Sequence, residues 1–214
     1  MSSSDRRERE RLQVRHKILD AARELFATEG YDAVTMRRIA EVIEYSPTTI
    51  YLHFKDKDTL IREICHVDSM ALAQAFHAIA TEPDPLVRLR QIGMAYVDFG
   101  MRHKHHYRLM FMSNRLLEAE YLPAMGHGNP EEDGYAFLLS TIQQAIAQQR
   151  FYAHLTDPHL LAQAFWGGVH GIVALHLAKY GDPWVEWRSL TTTATLIIDS
   201  ILQGIVNAHP SDVV

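Results

Sequence analysis

Apolar residues recur along most of this chain with the three-to-four-residue spacing of α-helices. In residues 14 to 26, Val14, Ile18, Ala22, Leu25 and Phe26 fall on one stripe. In residues 197 to 206, Ile197, Ile198, Ile201, Leu202, Ile205 and Val206 form another. No run alternates apolar with polar residues as a half-buried strand would, so the pattern predicts an all-α protein. Five dipeptides in which a capping residue precedes proline read as helix starts: Ser46-Pro47, Asp84-Pro85, Asn129-Pro130, Asp157-Pro158 and Asp182-Pro183. In each, a side-chain oxygen can accept an orphan amide hydrogen, and the proline has no amide to leave unpaired.

These signals predict about nine helices, over 9–28, 36–43, 47–53, 57–80, 85–102, 104–112, 130–149, 158–179 and 184–207. The first three are short and closely spaced and the later ones long. The expected architecture is a three-helix head carrying a helix-turn-helix, residues 1–56, on a larger helical body, residues 57–214. The segment 113–129, which ends Gly126-His-Gly-Asn129, reads as a long loop.

Composition changes this picture little. The 214 residues are 47% hydrophobic and 22% charged, an ordinary globular balance that excludes a disordered or collagen-like chain. The single cysteine, Cys65, excludes an internal disulfide framework and fits a reducing compartment. The charged start, Asp5-Arg-Arg-Glu-Arg-Glu-Arg11, has no apolar stretch of a secretory signal, and no run of 18 uninterrupted apolar residues follows. A cytoplasmic location with no membrane partner is therefore expected.

Charge is more informative. The formal net charge of −5 argues against a nucleic-acid partner when averaged over the chain. Residues 1–62, however, hold 12 Lys and Arg against 11 Asp and Glu, which leaves the whole acidic excess to the remainder. Any nucleic-acid face must lie in the head, with the acidic body kept away from phosphates.

The head has the chemistry for it. Gly30 is placed to end the first helix and Thr35 to cap the second, with Val34 and Ile39 as a hydrophobic staple. Ser46 caps the third helix, with Tyr45 and Ile50 in the same staple positions. The pair makes a helix-turn-helix whose second helix presents Ser46, Thr48, Thr49, Tyr51 and His53 as hydrogen-bonding groups. Arg6, Arg7, Arg9 and Arg11 precede the first helix and can reach phosphates, although Asp5, Glu8 and Glu10 make a solvated tail an equal reading. Lys55 and Lys57 flank the start of the fourth helix.

Thr35-Met-Arg-Arg-Ile-Ala40, followed by Ser46-Pro-Thr-Thr-Ile-Tyr51-Leu-His-Phe-Lys-Asp-Lys57-Asp-Thr-Leu60, resembles the DNA-binding head of the TetR family of transcriptional regulators over residues 14–61. The resemblance implies DNA contacts from Thr35 and Arg37, from Ser46, Thr48, Thr49, Tyr51 and His53 on the recognition helix, and from Lys57 to phosphate. Two residues depart from the family pattern. Glu44 stands where glycine is usual and bears a strain of roughly 1–2 kcal/mol if the turn is left-handed. Pro47 replaces a residue that is often basic.

In the body, Trp166-Gly-Gly-Val-His170-Gly171 is similar to the Trp…His-Gly motif of one C-terminal subgroup, and His106-Tyr-Arg-Leu-Met-Phe111 to another of its segments. The likeness implies a homodimer formed through the last two helices and a small apolar or aromatic effector. Residues 160–178 are apolar on nearly every side, which also calls for cover from a second chain. Val169, Val173, Ile197, Ile198, Ile201, Leu202 and Ile205 are the expected interface. Gly167, Gly168 and Gly171 would let another helix approach. For the pocket the candidates are Tyr96, Phe99, Tyr107, Met110, Phe111, Phe165, Trp166 and His170, although such stripes are more often plain core. His170 is either the one polar group of that pocket or, more simply, a core histidine bonded to a backbone carbonyl.

Thirteen histidines invite a metal, yet there is no His-Glu-x-x-His and no cysteine pair, so neither a metal nor a cofactor is expected. The whole reads as a ligand-responsive repressor that binds a palindromic double-stranded DNA operator as a homodimer. The rivals are an all-α enzyme using His170 or His106 as general base, for which no nucleophile motif or carboxylate pair is present, and a helical small-molecule carrier that does not bind DNA.

Overall fold

The computed structural model describes residues 3–112 and 127–207. Most of the long loop expected over 113–129 lies outside them. Among the described residues there are nine helices and no strand, apart from one antiparallel bridge between Phe151 and Val206. The helices are α1 Ser3–Glu29, α2 Met36–Val42, α3 Pro47–His53, α4 Lys57–His77, α5 Pro85–Arg102, α6 Lys104–Phe111, α7 Gly134–Ala147, α8 Pro158–Lys179 and α9 Leu190–Ile205. Chain contacts divide them into two compact units, one of residues 3–68 and 105–112 and one of 69–104 and 127–207. Packing thus carries the first unit well past the helix-turn-helix at which the sequence suggests a boundary, and brings most of α6 with it.

Caps decide where the helices begin. Ser46, Asp84 and Asp157 each accept amide hydrogens two or three residues on, with proline at the next position, as their dipeptides predict. Asn129 and Asp182 do not start helices. Asn129 Oδ1 accepts the amide of Glu131 in a tight turn, and the cap of α7 is Asp133, whose Oδ1 accepts from Tyr135. Asp182 accepts the indole N–H groups of Trp184 and Trp187, and α9 begins after Ser189. At the other end of the chain α1 starts six residues before the expected position. Its first turns are all polar and are laced by the pairs Arg6 with Glu10 and Arg11 with Glu8, which support an exposed helix that the apolar periodicity cannot reveal.

The first unit is built around Ile18, Ala22 and Phe26 of α1, Ile39 and Ala40 of α2, Ile50 of α3, Phe54, and Leu60 and Ile64 of α4. Each Ile, Leu or Phe so enclosed contributes about 1.5–3 kcal/mol. Leu109 of α6 joins the same core. Beside it lies a buried ion pair in which Arg23 Nε donates to both carboxylate oxygens of Asp68, at 2.9 and 3.1 Å. His106 Nδ1 of α6 is 2.8 Å from the same carboxylate.

In the second unit α5 packs against α8 and α9. Gly93 makes this possible: a Cβ there would lie 2.7 Å from Ile198 Cδ1 and 3.2 Å from Phe165 Cζ. Gly168 does the same for Ile201, at 2.6 Å. The inner face of α8 consists of Leu161, Ala162, Phe165, Val169 and Val173. By length and hydropathy alone, α8 is long and apolar enough to cross a membrane, but this face is spent on the body's own core.

Candidate nucleic-acid interface and effector site

The turn between α2 and α3 is a Schellman motif. Tyr45 N donates to Ala40 O at 3.0 Å and Glu44 N to Glu41 O at 3.2 Å, so the last carbonyls of α2 are satisfied by the turn itself. This closure requires a left-handed residue, and Glu44 occupies it at φ 60. The strain expected from its identity is therefore present, and it fixes the direction in which α3 leaves the turn.

On α3, Ile50 is fully buried and Phe54, its C-cap, nearly so, which rotates Thr48, Tyr51 and Leu52 outward. Tyr51 is 55% and Leu52 77% exposed. The exposure of Leu52 is not legible in the sequence, because a leucine in a short helix reads as core until the buried pair at 50 and 54 is known. Ser46 is exposed and Thr49 half-buried, and the two are hydrogen-bonded to each other. Ser46 Oγ accepts from Thr49 N at 3.2 Å and shares a hydroxyl hydrogen bond with Thr49 Oγ1 at 2.9 Å. Thr35 similarly caps α2 by accepting from Arg38 N at 3.1 Å, and Arg37 is exposed beside Glu41.

His53 ends α3 half-buried. Arg15 of α1 donates to its carbonyl at 3.4 Å and lies over the Phe54 ring at 4.5 Å. Burial, and then the positive charges of Arg11 and Arg15, hold the His53 imidazole below its ordinary pKa and so neutral near pH 7. Arg15 of α1 therefore lies at the C-terminal end of α3.

Lys57, expected to reach a phosphate, is also bound within its own unit. Its ammonium donates to the carbonyls of Tyr31 at 2.8 Å and Val34 at 2.9 Å and lies 4.0 Å from the centroid of the Tyr31 ring. The amide of Thr59 in α4's first turn is taken by Asp56 Oδ1 at 2.7 Å, and hydrogen bonds from Thr59 hold that carboxyl below its usual pKa. Lys55 is exposed.

Of the eight pocket candidates, Tyr96, Phe99, Phe165, Trp166 and His170 belong to the second unit, and Tyr107, Met110 and Phe111 to α6 in the first. Three of the five form a connected polar group. Trp166 Nε1 donates to Tyr96 Oη at 3.0 Å, and Tyr96 Oη lies 3.2 Å from His170 Nδ1. The phenol oxygen accepts from the indole, and either the phenol donates to Nδ1 or Nδ1–H donates to the phenol, according to the His170 tautomer. Burial lowers the His170 pKa, in keeping with this neutral form. The phenol is a side-chain partner for His170, and it gives the Trp…His spacing a reason. One turn apart on α8, the two rings bracket Tyr96 of α5, with centroids 6.2 Å apart and edge to face. Tyr135 of α7 extends the cluster, 6.1 Å from Trp166, and its hydroxyl lies 3.1 Å from His159 Nδ1. Tyr135 and His159 are not legible as partners in the sequence, because His159 opens α8 and only the folded α7 brings Tyr135 to it.

The expected dimer residues divide sharply. Val169, Val173, Ile198 and Leu202 are buried within the single chain, on the faces of α8 and α9 that pack inside the unit. Ile197, Ile201 and Ile205 are half-buried. The outer stripe of α8 is instead Leu160, Ala164, Gly167, Gly171 and Leu175, and that of α9 is Leu196, Ser200 and Gly204.

Comparison with known proteins agrees with this anatomy. Residues 18–64 match the family described as bacterial regulatory proteins of the tetR family, and residues 89–201 match the tetracyclin repressor-like C-terminal domain, more than half of the chain. The chain belongs to the TetR family. The transcriptional activator FasR of Mycolicibacterium smegmatis is 32% identical over 108 residues, which covers 50% of this chain and 49% of that protein. The transcriptional repressor AcnR of Corynebacterium jeikeium is 41% identical over 58 residues, 27% of this chain and 31% of that one. The matched stretch thus spans only about a third to a half of these curated relatives. Among solved structures, a tetR-family regulatory protein from Rhodococcus RHA1 superposes with a TM-score of 0.72 at 20% identity, covering 91% of this chain and 98% of that one. A TetR-family regulator from Marinobacter aquaeolei VT8 gives 0.73 at 16% identity over 95% and 100%. At such identities the structures share the fold.

Proposed function

We propose that this protein is a transcriptional repressor that binds a palindromic operator as a homodimer in the cytoplasm and is released by a small apolar or aromatic effector. The observation that carries the DNA reading is α3. Its buried side is locked by Ile50 and Phe54, its entry angle by the Glu44 turn, and what remains outward is Thr48 and Tyr51 beside the exposed Arg37 of α2. That is a short rigid helix with hydrogen-bonding tips, suited to base edges in a major groove. Repression follows the relatives named as repressors, such as AcnR. The dimer reading rests on the outer stripes of α8 and α9, and the effector reading on the Trp166, Tyr96 and His170 cluster. Selection of bound sequences from random duplex DNA is the direct test. An enriched palindrome whose recovery requires Tyr51 supports the reading, whereas unselective recovery, or enrichment unaffected by Tyr51→Ala, overturns it.

A further inference from the structure

We infer that Leu52 sets part of the operator sequence by docking on the C5-methyl group of a thymine in each half-site. The inference rests on the DNA-binding reading and adds an apolar contact to it. The register of α3 carries the argument. Ile50 is fully and Phe54 almost fully buried, and the caps at Ser46 and Phe54 fix the two ends of the helix, so its rotation about its own axis is set. Leu52 lies one turn beyond Thr48 on the same stripe, with Tyr51 beside it, and all three are exposed. A major groove that receives Thr48 and Tyr51 therefore receives Leu52 as well. The hydroxyls of Ser46 and Thr49 are bonded to each other, which concentrates the outward donors and acceptors of α3 at Thr48 and Tyr51. Leu52 has neither donor nor acceptor, and it is the most exposed large apolar side chain among the described residues of the first unit. Against base edges a leucine gains only where it meets apolar surface. Opposite a donor or acceptor it would displace water without replacing the hydrogen bond. The major-groove edges of the four bases offer one methyl group, that of thymine. Thymine is hence the base favoured against Leu52.

The test uses the full chain and begins with selection of bound sequences from random duplex DNA by the wild-type protein. The absence of any enriched sequence fails the DNA-binding reading, and this inference with it. In the enriched duplex each thymine is then replaced, symmetrically in both halves, by deoxyuridine, and affinity is read by fluorescence anisotropy. Deoxyuridine removes the C5-methyl and leaves every hydrogen-bonding group in place. Burial of one methyl group is worth about fourfold in affinity. At one thymine position the replacement should weaken wild-type binding by about fourfold for each half-site and should leave the binding of Leu52→Ala unchanged. Leu52→Ala should keep the wild-type urea midpoint, because alanine is well tolerated on an exposed helical face, and on selection should lose its preference at that position alone. An enriched sequence that no deoxyuridine weakens overturns the inference and leaves the DNA-binding reading standing. A deoxyuridine effect equally large in Leu52→Ala also overturns it, since another side chain then reads the methyl. A Leu52→Ala protein that binds all sequences more weakly with its preference intact makes Leu52 a structural residue of α3, and overturns it as well.

Discussion

Glu44 shows how one side chain can be wrong for its backbone yet right for the fold. The Schellman closure of α2 needs a left-handed residue, and a non-glycine residue there costs roughly 1–2 kcal/mol. Glu44→Gly should therefore raise the stability of the head by about 1 kcal/mol, less than the full strain because glycine also frees the unfolded chain. A urea midpoint that does not rise would show that the turn has relaxed around glutamate. His170 carries a second prediction at this scale. Its pKa is lowered in the folded state by burial, so on acidification below its ordinary value near 6.5 the unfolded chain takes up a proton before the folded one does. Stability is then lost as the pH falls, and the loss levels off once the folded pKa is passed. His53 and His176 are shifted in the same direction. The urea midpoint should fall between pH 7.5 and 5. In His170→Asn, whose amide offers Tyr96 both a donor and an acceptor, the fall should be smaller, and an equal fall would remove His170 from the account.

At the scale of elements, legibility depended on whether the deciding interaction was local. The caps at Ser46, Asp84 and Asp157 and the terminating Gly30 are local, and the sequence shows them. The same dipeptide at Asn129 or Asp182 closes a turn because a better cap, Asp133 or Ser189, lies a few residues ahead. The apolar stripe of α9 was legible too, but an apolar position does not reveal which neighbour covers it, and Ile198 and Leu202 proved to be covered by their own chain. The glycines of α8 sort themselves on this point. Gly168 is required by Ile201, whereas a Cβ at Gly167 or Gly171 would meet nothing in the single chain. In an isolated α8, Gly171→Ala should stabilise the helix by about 1 kcal/mol. Where a partner helix lies close, the added methyl should destabilise the pair. The variant is thus expected to be more stable than wild type at low protein concentration and less stable at high concentration, and thermal unfolding at two concentrations checks both signs. A gain of stability at both would leave that stripe facing water.

For the whole molecule, the division of charge is the constraint that ties the two units to one function. The head is near neutral and the remainder acidic, so a single protomer has little net positive charge to offer a duplex, and on the proposed reading affinity comes from two heads binding together. Leu196 is 67% exposed in the single chain, on the outer stripe of α9, so Leu196→Glu costs the isolated protomer little. In a homodimer packed on that stripe, two carboxylates would be buried in an apolar interface with no counter-charge supplied, a penalty of several kcal/mol for each. Sedimentation should then show a folded monomer. Its binding to nonspecific duplex DNA should carry about half the wild-type salt slope, because each protomer brings its own set of phosphate contacts. On a selected operator the loss should be at least about a hundredfold, since the second half-site is no longer reached intramolecularly. A Leu196→Glu protein that remains dimeric would move the interface to another face. A monomer with the full wild-type slope would mean that one head makes all the contacts, and the operator would then have no reason to be palindromic.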